Sequence, residues 1–152
     1  MKRLVLLCAA VGAAASAQVT VLHSAQGSGH ITFGTNSEFI TFRAVQESGF
    51  VATGEATVHD VSAGVTARID VNCLNVVGNT ATISGIVTRS SDPDRVPVGS
   101  EGIFQVVDGG EGSGSADFMS LANFFAVGTG TDCTVPGEFD LAPVDQGNIQ
   151  VQ

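Results

Sequence analysis

The chain has no tryptophan and no tyrosine. Its nine phenylalanines can fill a core, but Phe has no polar tip, so the amphipathic aromatic platforms common at wet recognition surfaces are missing. Sugar binding by ring stacking is disfavoured for that reason. Lysine is almost absent: Lys2 is the only one, and a chain without its first residues has no lysine amine for Schiff-base chemistry. Positive charge is scarce altogether. Beyond residue 17, only Arg43, Arg68, Arg89 and Arg95 stand against fifteen acids, a formal charge of −11. Nucleic-acid phosphates and anionic headgroups both call for a basic surface, so neither is expected as a partner. The acidity reads as solubility.

The start of the chain carries a targeting pattern. Lys2 and Arg3 are followed by an apolar run from Leu4 to Ala15, then by Ala15-Ser16-Ala17, the small-x-small pattern of a cleavage site. The expectation is a signal peptide over residues 1–17 and a secreted, periplasmic or cell-surface domain over 18–152. The run is too short and too small-sided to span a bilayer, so no transmembrane segment is expected after cleavage. Of three cysteines, Cys8 leaves with the signal, and its position does not suit a lipid-modified amino terminus. Cys73 and Cys133 remain. In an exported domain they are expected to form a disulfide, worth roughly 4 kcal/mol for a loop of that length. No His or further Cys sits beside either at metal-ligand spacing.

Gly, Ser, Thr and Val dominate, and period-two alternation recurs where a helix would show a 3.6-residue period. From Val65 to Cys73, Val65, Ala67, Ile69, Val71 and Cys73 share one face, which predicts a half-buried strand with Cys73 inward. Ala81, Ile83, Gly85 and Val87 answer it across the turn at Gly78-Asn79. A two-residue loop would set Cys73 opposite Ser84 and Val71 opposite Ile86. A three-residue loop, Gly78 to Thr80, sets Cys73 opposite Gly85 and Val71 opposite Val87 and so joins the two apolar sets. The longer loop, or a bulge with the same effect, is therefore predicted. Further strands are predicted over His30–Phe33, Phe39–Val45, Phe50–His59, Gly102–Val107 and the closing Gly147–Gln152, with Ile149 and Val151 inward. Phe118–Val127 reads as a strand with Met119, Leu121, Phe125 and Val127 on one face, or as a short helix.

Seven to nine short strands without a linker point to an all-β, single-domain antiparallel meander barrel, with a β-sandwich as the alternative. Closure would remove exposed sheet edges. The small inward residues Ala52, Gly54, Ala56, Ala81 and Gly85 fit either a narrow barrel filled by Phe from facing strands or a cavity kept open for a ligand. The filled barrel is favoured.

Several segments also recur in a known order: Gly27-Ser28-Gly29-His30-Ile31, Val71-Asn72-Cys73-Leu74-Asn75-Val76-Val77-Gly78-Asn79-Thr80-Ala81, Ser90-Ser91-Asp92-Pro93, Val106-Val107-Asp108-Gly109-Gly110-Glu111-Gly112, and Gly147-Asn148-Ile149-Gln150-Val151. The series resembles a group of small secreted bacterial β domains, whose members usually carry Asn where this chain has Gly109. The resemblance implies an all-β extracellular domain. It brings no activity and no catalytic residue.

The acidic loops are the candidates for chemistry. Asp92 and Asp94 flank Pro93; Asp108, Glu111 and Asp117 surround a glycine-rich stretch. Such oxygens can hold calcium. No EF-hand or nonapeptide spacing is present, however, and Asp with Gly is what tight turns use, so turn chemistry is favoured and no cofactor is expected. A hydrolase needs a nucleophile, a base and an orienting acid. No Gly-x-Ser-x-Gly elbow occurs, His23 lies near the start of the mature chain, and His30 and His59 fall on polar strand faces. Gly109 to Gly114 lacks the lysine of a phosphate loop. Three functions stay open: an exported non-enzymatic barrel with a structural or interaction role toward another protein, a carrier of a small apolar ligand, and a barrel enzyme of the isomerase or cyclase kind. A filled interior favours the first, an apolar cavity the second, and a buried carboxylate or His within a cavity the third.

Overall fold

The computed structural model describes residues 20–49, 51–112, 115–135 and 137–152. The expected signal segment and Phe50 lie outside them. The described residues are all-β: β1 (Val21–Phe33), β2 (Asn36–Glu47), β3 (Thr53–Asp60), β4 (Val65–Val77), β5 (Thr80–Ser90), β6 (Glu101–Val107), β7 (Phe118–Ser120), β8 (Asn123–Phe125), β9 (Leu141–Pro143) and β10 (Gln146–Val151). They form one curled antiparallel sheet in the order β10-β1-β2-β3-β4-β5-β6-β7-β9, with β8 also on β6. Strand follows neighbour from β1 to β7, the meander that the hairpin-like spacing predicts.

The β4–β5 hairpin corrects the predicted register. Its loop is two residues: Val77 pairs with Thr80, and Gly78 supplies φ +63° at the first loop position, where only glycine is comfortable. Cys73 is opposite Ser84, and Val71 is opposite Gly85. A bulge at Asn72 reconciles the turn with the pattern. On one side of it Leu74 and Val76 pair with Ile83 and Ala81; on the other Ile69 pairs with Val87. The apolar sets do meet, through the bulge rather than the longer loop. The bulge also turns Cys73 outward, contrary to the expectation, while Leu74 is buried in the core.

Phe118–Val127 is no helix. β7 and β8 both lie along β6, separated by a second bulge at Leu121-Ala122. The extra residue changes the phase, so Met119 and Phe124 pack on the core while Phe125 and Val127 are exposed.

The body of the barrel is filled. Ile31, Ile40, Ile69, Ile83, Phe104, Val106, Met119 and Ile149 have essentially no exposed surface. Phe42 and Phe104 meet edge to face from opposite walls, ring centroids 5.6 Å apart. Small inward residues make the room. A Cβ on Gly102 would sit 2.6 Å from Ile69 Cδ1, and one on Gly29 would sit 3.0 Å from Met119 Cε. Ala52, Ala56 and Ala81 are buried as expected, but Gly54 is exposed; a Cβ there would strike the carbonyl of Arg43 on β2.

The hydrogen-bond ladder does not run all the way round. It stops at β9 on one side and at β10 on the other. The last stretch of chain bridges the gap: β9 bonds β7, and two residues later β10 bonds β1. Between them Val144 N–H donates to the Asp117 carbonyl at 2.9 Å and Asp145 N–H to the His30 carbonyl at 3.0 Å. Along β10 the N–H groups that face away from β1 have no partner strand. Asp117 Oδ2 accepts from Ile149 N–H at 2.7 Å, and Asp108 Oδ2 accepts from Val151 N–H at 3.0 Å.

Cys73 and Cys133 are bonded, Cα atoms 5.9 Å apart, and they pin the loop before β9 to the outer wall. Glu101 on β6 holds the same loop, accepting from the backbone N–H groups of Gly130 (2.8 Å) and Thr131.

Candidate functional site

One end of the barrel stays open. The turns after β1 and β3 and the β5–β6 connection surround its mouth, and there a cavity of about 210 Å³ enters the barrel. Val58 on β3, Val65 and Ala67 on β4 and Phe124 on β8 give it apolar walls. Val96 in the β5–β6 connection covers one side and packs on the core. Asp60 and Arg95 stand at the rim, with Arg95 held near Asp92 and the Ala63 carbonyl.

Glu38 is the polar group inside. The β2 alternation turns Glu38, Ile40, Phe42 and Ala44 inward, and Glu38 keeps only 6% of its surface exposed. The bulge at Leu121-Ala122 explains why an acid is tolerated there. It takes two N–H groups out of the β6–β7–β8 ladder. Gln105 N–H turns to Ser120 Oγ at 2.9 Å, and Ala122 N–H turns inward to Glu38 Oε2 at 2.9 Å. Glu38 thus satisfies a backbone donor with one oxygen and has capacity left toward the cavity.

Burial pushes the Glu38 carboxyl up to about 7, outweighing the Ala122 hydrogen bond that lowers it. Asp60, directly opposite on β3, raises it further by like-charge repulsion. Near neutrality, then, this carboxyl exchanges its proton with small changes in its surroundings. It can donate to a carbonyl when protonated and pair with a cation when ionised.

The five acidic loop residues are not brought together as one group; only Asp108 and Asp117 stand side by side, along the free edge of β10. Asp92 and Asp94 lie in the β5–β6 connection at the mouth; Asp92 accepts from the backbone of Arg95 and Val96. Asp108, Glu111 and Asp117 lie beyond the opposite end of β6. Asp108 Oδ1 accepts from Gly110 N–H at 2.8 Å and Asp117 Oδ1 from Gly109 N–H at 2.9 Å, the turn chemistry favoured from sequence. Glu111 and Asp94 are exposed. Among the described residues no three His, Cys, Asp or Glu side chains are grouped to hold a metal. His23 is not in a loose terminus but in β1, opposite Gln46. His59 faces outward and meets Thr66 Oγ1 at 2.9 Å. His30 also faces outward, between Asp145 and Ser37.

Sequence reasoning passed over Glu38, although a signal was there. It stands in phase with Ile40, Phe42 and Ala44, and an acid on the apolar face of an alternating strand must be buried with a partner or line a cavity. Comparison with protein-family models, characterised proteins and solved structures finds no match for this chain.

Proposed function

We propose that this protein is an exported β-barrel module whose mouth carries, without transforming it, a small, mainly apolar molecule with one amino group. Export is supported by the amino-terminal pattern and the disulfide. The observation that carries the reading is Glu38: a single buried carboxyl among apolar walls in a cavity of about 210 Å³. That volume is below the range of about 300–1,000 Å³ usual for drug-sized ligands, so the ligand is small. An amine fits the charge. Two acids, Glu38 and Asp60, face one arginine at the rim, and a cation relieves the repulsion between them.

A second reading, an isomerase-type enzyme, is favoured by the same carboxyl, because a value of about 7 suits a general acid or base at neutral pH. Carrier and enzyme differ in whether the bound molecule leaves unchanged. Titration with cyclohexylamine, followed by backbone and methyl NMR, tests the reading. Shifts are expected at Val58, Val65 and Phe124. The affinity should rise about tenfold from pH 6 to pH 8, following the ionised fraction of Glu38. Val96→Phe, which fills the cavity, and Glu38→Gln should each abolish the effect. Binding that ignores both variants, or no binding at either pH, refutes it.

A further inference from the structure

A second chemical constellation lies on the outer wall beside the seam, on the opposite face of the sheet from the mouth cavity. His30 Nδ1 is 2.6 Å from Asp145 Oδ1, and His30 Nε2 is 2.8 Å from Ser37 Oγ. An ionised carboxylate can only accept, so Nδ1 carries the proton and Nε2 is left to accept from the serine hydroxyl. Nucleophile, base and orienting acid are thereby in line, an arrangement recognised by geometry and role rather than by order along the chain.

The backbone fixes all three residues. Asp145 N–H donates to the His30 carbonyl at 3.0 Å, so the pair is tethered twice. Ser37 accepts through its carbonyl from Val61 N–H at 2.8 Å and donates its own N–H to Ser62 Oγ at 2.6 Å. His30 and Ser37 stand on β1 and β2, and Asp145 lies in the two-residue connection between β9 and β10, so the site is held more firmly than one on a free loop. The constellation is also reachable: the His30 side chain is 24% exposed and that of Asp145 51%.

We propose that Ser37, His30 and Asp145 form a serine-nucleophile site that takes the acyl group of small activated esters. His30 Nε2 accepts the Ser37 hydroxyl proton as Oγ bonds to the acyl carbon. The bond from that carbon to the leaving oxygen then breaks, and the leaving group departs with the proton from Nε2. Water, deprotonated by His30, attacks the acyl-serine, releases the carboxylic acid and returns the proton to Ser37. Asp145 is a positioning residue that holds the imidazole in the tautomer the step needs. The substrate class follows from one further contact. In serine hydrolases the nucleophile's own N–H helps to hold the oxyanion. Here Ser62 Oγ occupies it, and loss of one such donor typically slows the reaction about 10²–10³-fold. Only acyl groups with good leaving groups should therefore react.

The test uses p-nitrophenyl acetate with the folded, disulfide-bonded protein. Release of p-nitrophenolate is monitored together with peptide mass analysis of the acetylated residue. Acetyl is expected on Ser37, absent in Ser37→Ala and at least tenfold slower in His30→Gln. Asp145→Asn should slow the reaction at least tenfold without moving the thermal midpoint, and Asp145→Glu should restore part of it. His23→Gln, which changes an imidazole at the far end of β1, should leave the reaction unchanged, and this separates the site from general catalysis by a surface histidine. The proposal is overturned if Ser37 stays unmodified, if acetyl spreads evenly over other serines, or if His30→Gln reacts like the parent. Ser37→Ala removes a single half-buried oxygen, so this comparison survives even if a histidine variant misfolds.

Discussion

The body and the mouth of this barrel are built from the same strands and obey different rules. In the body every inward position is apolar or small, and the room beside small residues is taken by neighbouring side chains, as Ile69 takes that beside Gly102 and Met119 that beside Gly29. At the mouth the same β2 alternation delivers Glu38, and the space beside it stays open. Alternation decides which face a residue takes. Whether that face is filled depends on what the facing strand and the covering loop supply.

The tightly packed body carries the largest effect. Phe104→Ala leaves a hole in the body that neighbouring rings cannot close, and the expected loss is about 3–5 kcal/mol by urea denaturation. A loss near zero would mean that the body is as loosely packed as the mouth.

Glu38→Gln sharpens the contrast by removing a cost rather than a contact. The folded carboxyl titrates at about 7 against 4.5 for the free group. Because the folded value is raised, the native state loses stability as pH climbs from about 4.5 to 7 and regains it on acidification. The variant should be more stable than the parent at pH 8, by up to about 3 kcal/mol, and no different at pH 4. Parallel stability–pH curves for the two proteins would refute the assignment.

The smallest expected effect is at the seam. Asp117→Asn turns one charged acceptor into a donor facing the N–H groups of Gly109 and Ile149. About 1–2 kcal/mol is expected, with faster hydrogen exchange at the Ile149 amide than at Ile83 in the closed part of the ladder. Equal exchange at both amides would mean that the seam does not depend on the carboxylate.

The fold class and the disulfide pair were legible in the chain because burial in a sheet leaves a period of two and because two cysteines allow one pairing. The gaps have local causes. Most of β1 is hidden because Gly27 and Gly29 occupy inward places without an apolar side chain to mark the alternation. Bulges at Asn72 and at Leu121-Ala122 shift the phase by one, which misplaces Cys73, Phe125 and Val127, and no residue type announces a bulge. Glu38 was readable from its phase alone. The contact between His30 and Asp145 spans 115 positions and depends on where the final strand returns, which no local pattern encodes.

The carboxylates along β10 carry one more implication. An unpaired strand edge invites another chain to add itself, and here Asp108 and Asp117 already occupy the two N–H groups an incoming backbone would seek. A newcomer would have to displace two anions tethered to their own loop, so the gap in the sheet is stoppered without a further strand. Replacing both with alanine would pull the stopper and expose a docking rail for self-assembly.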